Sequence, residues 1–307
     1  MRAHALYPLV FHPVYRTAVW GGEAIARRYN RANTPEHCAE SWELSALPGA
    51  ESVVVNGPFE GVGLAELTQR FGRDLLGRQA PEPDRFPLLI KILDAAAALS
   101  IQVHPDARAA ACLGTRPKHE MWNVLHAEPG AQVWAGLTPG TTAETAREHL
   151  VPYASHTGDL FDLPPGLVHA IGPGNLIYEV QEASPAAYRL DDWGRGRPLH
   201  LEAARQAVRP ELAVRYVPAE TEREGRLTVR LRTPAFSFAT FLCRRMRTLH
   251  TTDQSFMVLF CAEGKMRVAH CGPYPITLLP GDSLFIPPRQ QVLLHPFSAA
   301  RLLLTTL

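Results

Sequence analysis

A mainly β protein, built as two jelly-roll or β-barrel units with a few short helices, is the expectation, and three features carry it. The 307 residues include 27 prolines, and proline suits turns and strand boundaries better than long helices. The apolar runs are short and bounded by Gly and Pro, as in sandwiches and jelly rolls. The spacing Gly158-Asp159-x4-Pro164-Pro165 recurs 123 residues later as Gly281-Asp282-x4-Pro287-Pro288, an internal repeat that predicts two related units.

Along the chain, residues 63–76 place Leu64, Leu67, Phe71 and Leu75 at steps of three and four and predict an amphipathic helix. Shorter helices are expected at 142–150 and 201–207, and residues 78–85 read as a polar, proline-rich loop. Strands are expected at 86–94, 99–103, 120–126, 131–135, 160–163, 176–180, 227–231, 236–242, 256–261, 265–268, 283–286 and 301–305. Glu128-Pro129-Gly130 and Ala262-Glu263-Gly264 are read as hairpin turns. The expected organisation is a catalytic unit over 1–200, a charged connection over 201–226 and a second, metal-free unit over 227–307.

Composition excludes several classes. With 46% apolar and 20% charged residues, and 31 Lys+Arg against 30 Asp+Glu, the chain is neither disordered nor collagen-like. A net charge of +1 without a basic block gives no reason to expect a nucleic-acid partner. No apolar stretch approaches the ~20 residues a bilayer requires, and the first residues lack the apolar core of a signal peptide. Five cysteines (Cys38, Cys112, Cys243, Cys261 and Cys271) without a C-x-x-C pair fit a reducing cytoplasm and are expected to be small buried hydrophobes.

The repeat also separates the two halves chemically. His169 follows the first Pro-Pro turn, and Val292 stands in its place after the second. Gly158-x5-Pro164-x-Gly166-x2-His169 resembles the second motif of the cupin superfamily, whose histidine points into the barrel and binds a metal. Gln102 and His104 lie two apart in an extended run, so their side chains share a face. Glu120 opens the next strand, and Lys118 has the same parity. Two imidazoles, a carboxylate and an amide oxygen suit a borderline divalent ion. His119 has the opposite parity to Glu120, and His126 lies about 20 Å further along an extended strand, so neither is expected to share the ion.

Residues 86–106 (FPLLIKILDAAAALSIQVHPD), 118–124 (KHEMWNV), 166–171 (GLVHAI) and 188–195 (YRLDDWGR), with 19–22 (VWGG) and 40–45 (ESWELS), resemble the type I mannose-6-phosphate isomerases. The likeness is closest to their short bacterial class. It implies a zinc-dependent aldose–ketose isomerase that interconverts mannose 6-phosphate and fructose 6-phosphate, with other divalent ions as substitutes. It places the zinc ligands on Gln102, His104, Glu120 and His169, and catalytic roles on Arg189 and Lys118. Asp191 departs from the class pattern Y-R-L-Y-D-W and bears on sugar preference; Ala107 stands where a second Asp is usual and is read as a surface-turn difference.

Aldose–ketose chemistry also requires a proton shuttle between C1 and C2 and an anchor for the phosphate. Lys118, Glu179 and a metal-bound water are the candidates for the shuttle. Arg189, Lys91 and Ser100 are the candidates for the phosphate. Trp20 and Trp42 are expected in the core rather than on the sugar. Two alternatives share the same residues: an Fe(II) oxygenase, built on the two-histidine, one-carboxylate set, and a non-catalytic sugar-binding cupin. The only partner expected is the small sugar phosphate, bound by a cytoplasmic monomer or homodimer.

Overall fold

The computed structural model describes residues 5–270 and 275–307, which leaves Cys271 outside the described residues. The chain divides into two compact units. One comprises Tyr15–Ser41 and Leu89–Glu220; the other contains the strand Leu9–His12 together with Trp42–Leu88 and Thr221–Leu307. Residues 42–88 therefore pack with the C-terminal sequence, whereas their place in the sequence predicts the front unit. The physical link is strand pairing across the whole length of the chain: Leu9 lies opposite Phe285, and Phe11 opposite Val54.

The unit that carries the metal-ligand candidates is a sandwich of two sheets. Its five-stranded sheet runs Leu150–Ala154, Gln132–Leu137, His169–Ile171, Ile101–Val103, Tyr188–Asp191. Its seven-stranded sheet runs Arg215–Val217, Leu160–Leu163, Glu120–Ala127, Asn175–Glu182, Leu88–Ala95, Val14–Gly22, Cys38–Leu44. Trp122, Val124, Phe161 and Ile177 from the larger sheet pack with Val133, Ala135 and Ile171 from the smaller one. Period-two alternation sends these side chains into the space between the sheets. Trp20 is buried in this core, as expected.

The second unit repeats the plan with a seven-stranded and a four-stranded sheet. The repeated turn is reproduced bond for bond. Gly158 N–H donates to Val124 O and Val124 N–H to Asp159 O, at 2.8 and 2.9 Å; Gly281, Cys261 and Asp282 make the same pair of bonds at the same distances. Both glycines adopt φ 93°, a left-handed conformation that strains any residue with a Cβ, which is why the motif keeps glycine twice.

Several expectations change. The strands flanking Glu128-Pro129-Gly130 do not form a hairpin: Glu120–Ala127 and Gln132–Leu137 lie in different sheets, and so do Met257–Glu263 and Met266–Ala269. A Gly-containing turn reverses the chain equally well within a sheet or between two. The helix predicted over 63–76 is broken into Leu64–Phe71 and Arg73–Leu76 at Gly72, whose φ 51°, ψ −123° is not helical. Residues 142–150 supply only the 3-10 turn Ala146–His149, whereas Leu201–Ala207 is a helix as expected. Asp106 starts a short helix, Ala107–Cys112, by accepting the Ala109 N–H at 2.8 Å, so the Ala107 position belongs to a capped helix rather than a plain turn. Cys112 at its end is exposed, while Cys38, Cys243 and Cys261 are buried. No helix among the described residues is long and apolar enough to cross a membrane.

Candidate metal centre

His169 and Gln102 are directly opposite each other across neighbouring strands, and Arg189 is opposite Gln102 on the next one. Directly opposed residues point to the same face, so the five-stranded sheet presents Gln102, His169 and Arg189 together. From the larger sheet, Glu120 faces Leu163 on one neighbour and Gln181 on the other. His104 follows directly on the Gln102 strand. Ligating atoms of His104, Glu120 and His169 all lie within 4.8 Å of one another, and all three residues are buried.

Hydrogen bonding fixes which nitrogen each imidazole offers. His104 Nδ1 lies 2.8 Å from Ala186 O, and His169 Nδ1 lies 2.9 Å from Leu167 O. A carbonyl can only accept, so each Nδ1 carries the proton and each Nε2 presents a lone pair. Those two Nε2 atoms and both Glu120 oxygens are fully buried without a hydrogen bond. His104 Nε2 is nevertheless 2.9 Å from Glu120 Oε2, and His169 Nε2 is 3.2 Å from Glu120 Oε1. Lone pairs pressed together in this way repel unless a proton or a cation lies between them.

A proton is disfavoured. Burial, and then the Lys118 ammonium, press the His104 imidazolium down to about 3 against the pull of Glu120. Burial alone would push the Glu120 carboxyl up, but Lys118 and the two imidazoles outweigh it and hold the group well below the ordinary carboxylate range. The result is a neutral His104 imidazole facing an ionised Glu120 carboxylate, the protonation state a metal requires of its ligands. Donor separations of 2.9 and 3.2 Å also match the roughly 3 Å spanned by two ligand bonds of ~2.0–2.1 Å to one zinc ion. The residues fit a divalent cation.

Around this centre the charges are organised. Lys118 Nζ is 3.0 Å from Glu120 Oε2, as their shared strand parity predicts. Lys91 pairs with both Glu40 (3.1 Å) and Glu179 (3.3 Å), so its ammonium is engaged by two carboxylates. Burial pulls that ammonium down, but Glu40 and Glu179 outweigh it and hold it above the ordinary lysine value. Glu179 is pushed up by burial and then by the charge on Glu120, against Lys91 and Lys118. The Trp122 indole N–H donates to Glu179 Oε2 at 3.1 Å.

Arg189 and Ser100 do come together. Arg189 Nε donates to Ser100 Oγ at 3.3 Å, and Arg197 Nη2 reaches the same oxygen at 3.4 Å. Asp192 holds Arg195 at 2.9 Å and Arg197 closer still. Sequence reasoning missed Arg195, Arg197 and Asp192; the density of arginines in RLDDWGRGR was the available signal. Asp191 accepts the Trp193 N–H at 2.6 Å and pairs with Arg147 at 3.4 Å, which occupies its carboxylate in a local turn. His119 Nε2 pairs with Asp162 at 2.6 Å and His126 with Glu128 at 3.1 Å, and neither is in the ligand cluster.

In the second unit, apolar side chains occupy the equivalent positions. Val292 is opposite Leu249, and Ile286 opposite Met257. The positions of His169, Gln102 and Glu120 are thus filled by Val292, Leu249 and Met257, which pack in one apolar cluster. Val292→His is expected to leave the zinc content per chain unchanged and to lower stability by about 1–3 kcal/mol, the cost of burying an unpartnered polar group. Metal analysis with a thermal melt checks both.

Comparison with known proteins gives one answer. Residues 9–128 match the family model of the phosphomannose isomerase type I catalytic domain. Mannose-6-phosphate isomerase ManA of Bacillus subtilis is 33% identical over 91% of this chain and 93% of its own length. Mannose-6-phosphate isomerase of Streptococcus mutans is 32% identical over 91% of this chain and 92% of its own. A crystal structure of a Bacillus subtilis mannose 6-phosphate isomerase superposes with a TM-score of 0.87 at 27% identity, covering 98% of this chain and 99% of that one. With a relative of this similarity along nearly its whole length, and the ligand cluster where the sequence pattern placed it, the chain belongs to the type I mannose-6-phosphate isomerase family.

Proposed function

We propose that this chain interconverts mannose 6-phosphate and fructose 6-phosphate, with Gln102, His104, Glu120 and His169 holding one zinc ion. The observation that carries the reading is the convergence of two buried Nε2 lone pairs on the Glu120 carboxylate, beside the Lys118 ammonium. When bound, the ion supplies Lewis-acid stabilisation of the oxygen on which negative charge develops.

The protein residues divide the remaining work. The buried carboxylates of Glu120 and Glu179, the half-buried Glu40 and two ammoniums (Lys91 and Lys118) leave one negative charge in excess. A divalent cation reverses that sign, so the site favours an anionic enediolate. Lys118 holds Glu120 ionised and adds fixed positive charge near the reacting oxygen. Arg189, on the same face as Gln102 and His169, adds a second. Glu179 is the carboxylate assigned to carry the proton between C1 and C2: burial raises its affinity for a proton toward that of a working base, while Lys118 is engaged as a cation. The phosphate is assigned to Ser100, Arg189 and Arg197, where planar guanidiniums converge on one hydroxyl.

The test is a coupled assay for fructose 6-phosphate with the zinc-loaded protein. Activity with mannose 6-phosphate is expected, with its loss on chelation and its return with zinc. Unphosphorylated mannose is expected to be poorer by roughly 100-fold or more in kcat/KM, because binding energy at a remote phosphate is used in the transition state. Iron in the purified protein with substrate-dependent oxygen uptake would overturn the assignment in favour of an oxygenase. Sugar binding without turnover would overturn it in favour of a binding protein.

A further inference from the structure

A chain of charge runs inward through the metal-binding unit. Glu40 lies on Cys38–Leu44, Lys91 on Leu88–Ala95 and Glu179 on Asn175–Glu182. The Lys91 ammonium bridges the two carboxylates, at 3.1 Å from Glu40 Oε2 and 3.3 Å from Glu179 Oε1. Exposure falls along the chain, from 23% for the Glu40 side chain to 11% for Lys91 and 5% for Glu179. Glu179 is held from its other oxygen by the Trp122 indole, and Trp122 packs edge-on against the ligand His169, with ring centroids 5.4 Å apart.

Such a chain is a poor way to stabilise a sheet. The desolvation of buried ions offsets most of their attraction, and apolar side chains of similar volume do as well or better. What three ions in series do provide is position. An ammonium attracted from one side only is drawn wholly toward that carboxylate. With carboxylates on both sides it is shared, and it sits slightly nearer Glu40 than Glu179. Glu40 therefore limits how far Lys91 can claim Glu179.

We infer that Glu40 is a positioning residue of the isomerase site: it anchors Lys91 at a set distance from Glu179 and thereby fixes the Glu179 carboxylate beside the metal centre. Glu40 itself touches no reacting atom. The inference rests on the function proposed above and on the proton-carrying role given there to Glu179.

The test compares zinc-loaded wild type, Glu40→Gln, Glu179→Gln and the double variant for conversion of mannose 6-phosphate. Glutamine keeps the shape of Glu40 and an oxygen toward Lys91 while removing the charge. Glu40→Gln is expected to lower kcat by ~10-fold with KM within ~2-fold, the signature of a misplaced group rather than lost binding. Zinc content and melting temperature stay at wild-type values. In the Glu179→Gln background the same change costs less than ~2-fold, because the residue through which it acts is already disabled. The indole N–H resonance of Trp122, which reports Glu179 without any turnover, shifts in Glu40→Gln.

A Glu40→Gln protein with wild-type kcat and an unmoved Trp122 signal would overturn the inference. So would a loss that simply adds to that of Glu179→Gln, which marks a structural role. If Glu40→Gln does not fold, Glu40→Asp keeps the charge and shortens the reach by one methylene, and a smaller kcat loss with the same non-additivity is expected of it. An inactive wild type with full zinc overturns the proposed function itself, and is distinct from an active wild type that ignores position 40.

Discussion

His169→Ala is expected to lose its zinc and about three orders of magnitude in kcat while remaining folded. The activity term follows from the several kcal/mol that a Lewis acid contributes to a developing oxyanion, where ~4 kcal/mol corresponds to about 1,000-fold. The metal term follows from the site: without His169 Nε2, one of the three clustered His and Glu donors is gone, and Gln102, His104 and Glu120 offer the ion an incomplete set. The fold survives because the backbone at this position does the structural work. Position 169 pairs with Ala135 on one side and Gln102 on the other, and alanine keeps both pairings. Glu120 is not stranded, since Lys118 stays 3.0 Å from it. Zinc analysis, a circular-dichroism melt and the coupled assay on one preparation separate these effects. A His169→Ala protein that turns over at the wild-type rate without zinc refutes the metal assignment.

What the sequence revealed and what it hid divide along the range of the interaction. The ligand candidates were legible because each sits in a local signature. Gln102 and His104 differ by one strand period, Glu120 and Lys118 by another, and His169 follows a Gly-Pro turn whose twin lacks the histidine. The mainly β architecture was legible from short apolar runs between turns. Pairing was not. The turn at Glu128-Pro129-Gly130 carries the same residues whether it closes a hairpin or carries the chain from one sheet to the other, and here it does the second. Likewise, nothing local to Glu40 marks it as the partner of a lysine fifty-one residues on. Nothing local to Arg197 marks it as a neighbour of Ser100, from which it is 97 residues distant. The division of the chain failed for the same reason: strand Leu9–His12 is assigned by its partner Ser283–Ile286, far away in sequence.

Arg189→Ala is expected to reduce kcat/KM by about 100- to 1,000-fold, the range seen when one preorganised donor to a developing oxyanion is removed. How that loss divides between kcat and KM follows from where the side chain lies. Its position opposite Gln102 puts its root beside the metal centre, while its Nε reaches Ser100 Oγ at 3.3 Å and so extends toward the phosphate cluster. It therefore serves both ends of the substrate, and kcat and KM both change. Arg197 meets only the far end, at Ser100 and Asp192, so Arg197→Ala is expected to raise KM and spare kcat. Burial and the neighbouring Arg197 lower the Arg189 pKa, but not enough for a guanidinium to lose its proton, so the charge is present throughout the working range. Arg189→Lys restores a charge without the planar fork and is expected to recover only a small part of the rate. The backbone bonds that join position 189 to His200, at 3.1 Å through the imidazole Nδ1 and 2.8 Å through the His200 N–H, do not depend on the side chain, so the sheet edge stays in place. Steady-state kinetics of the three variants decide it. If Arg189→Ala changes KM alone, the residue is a phosphate anchor with no part in the proton transfer, and the positive charge at the reacting oxygen falls to Lys118 and the metal.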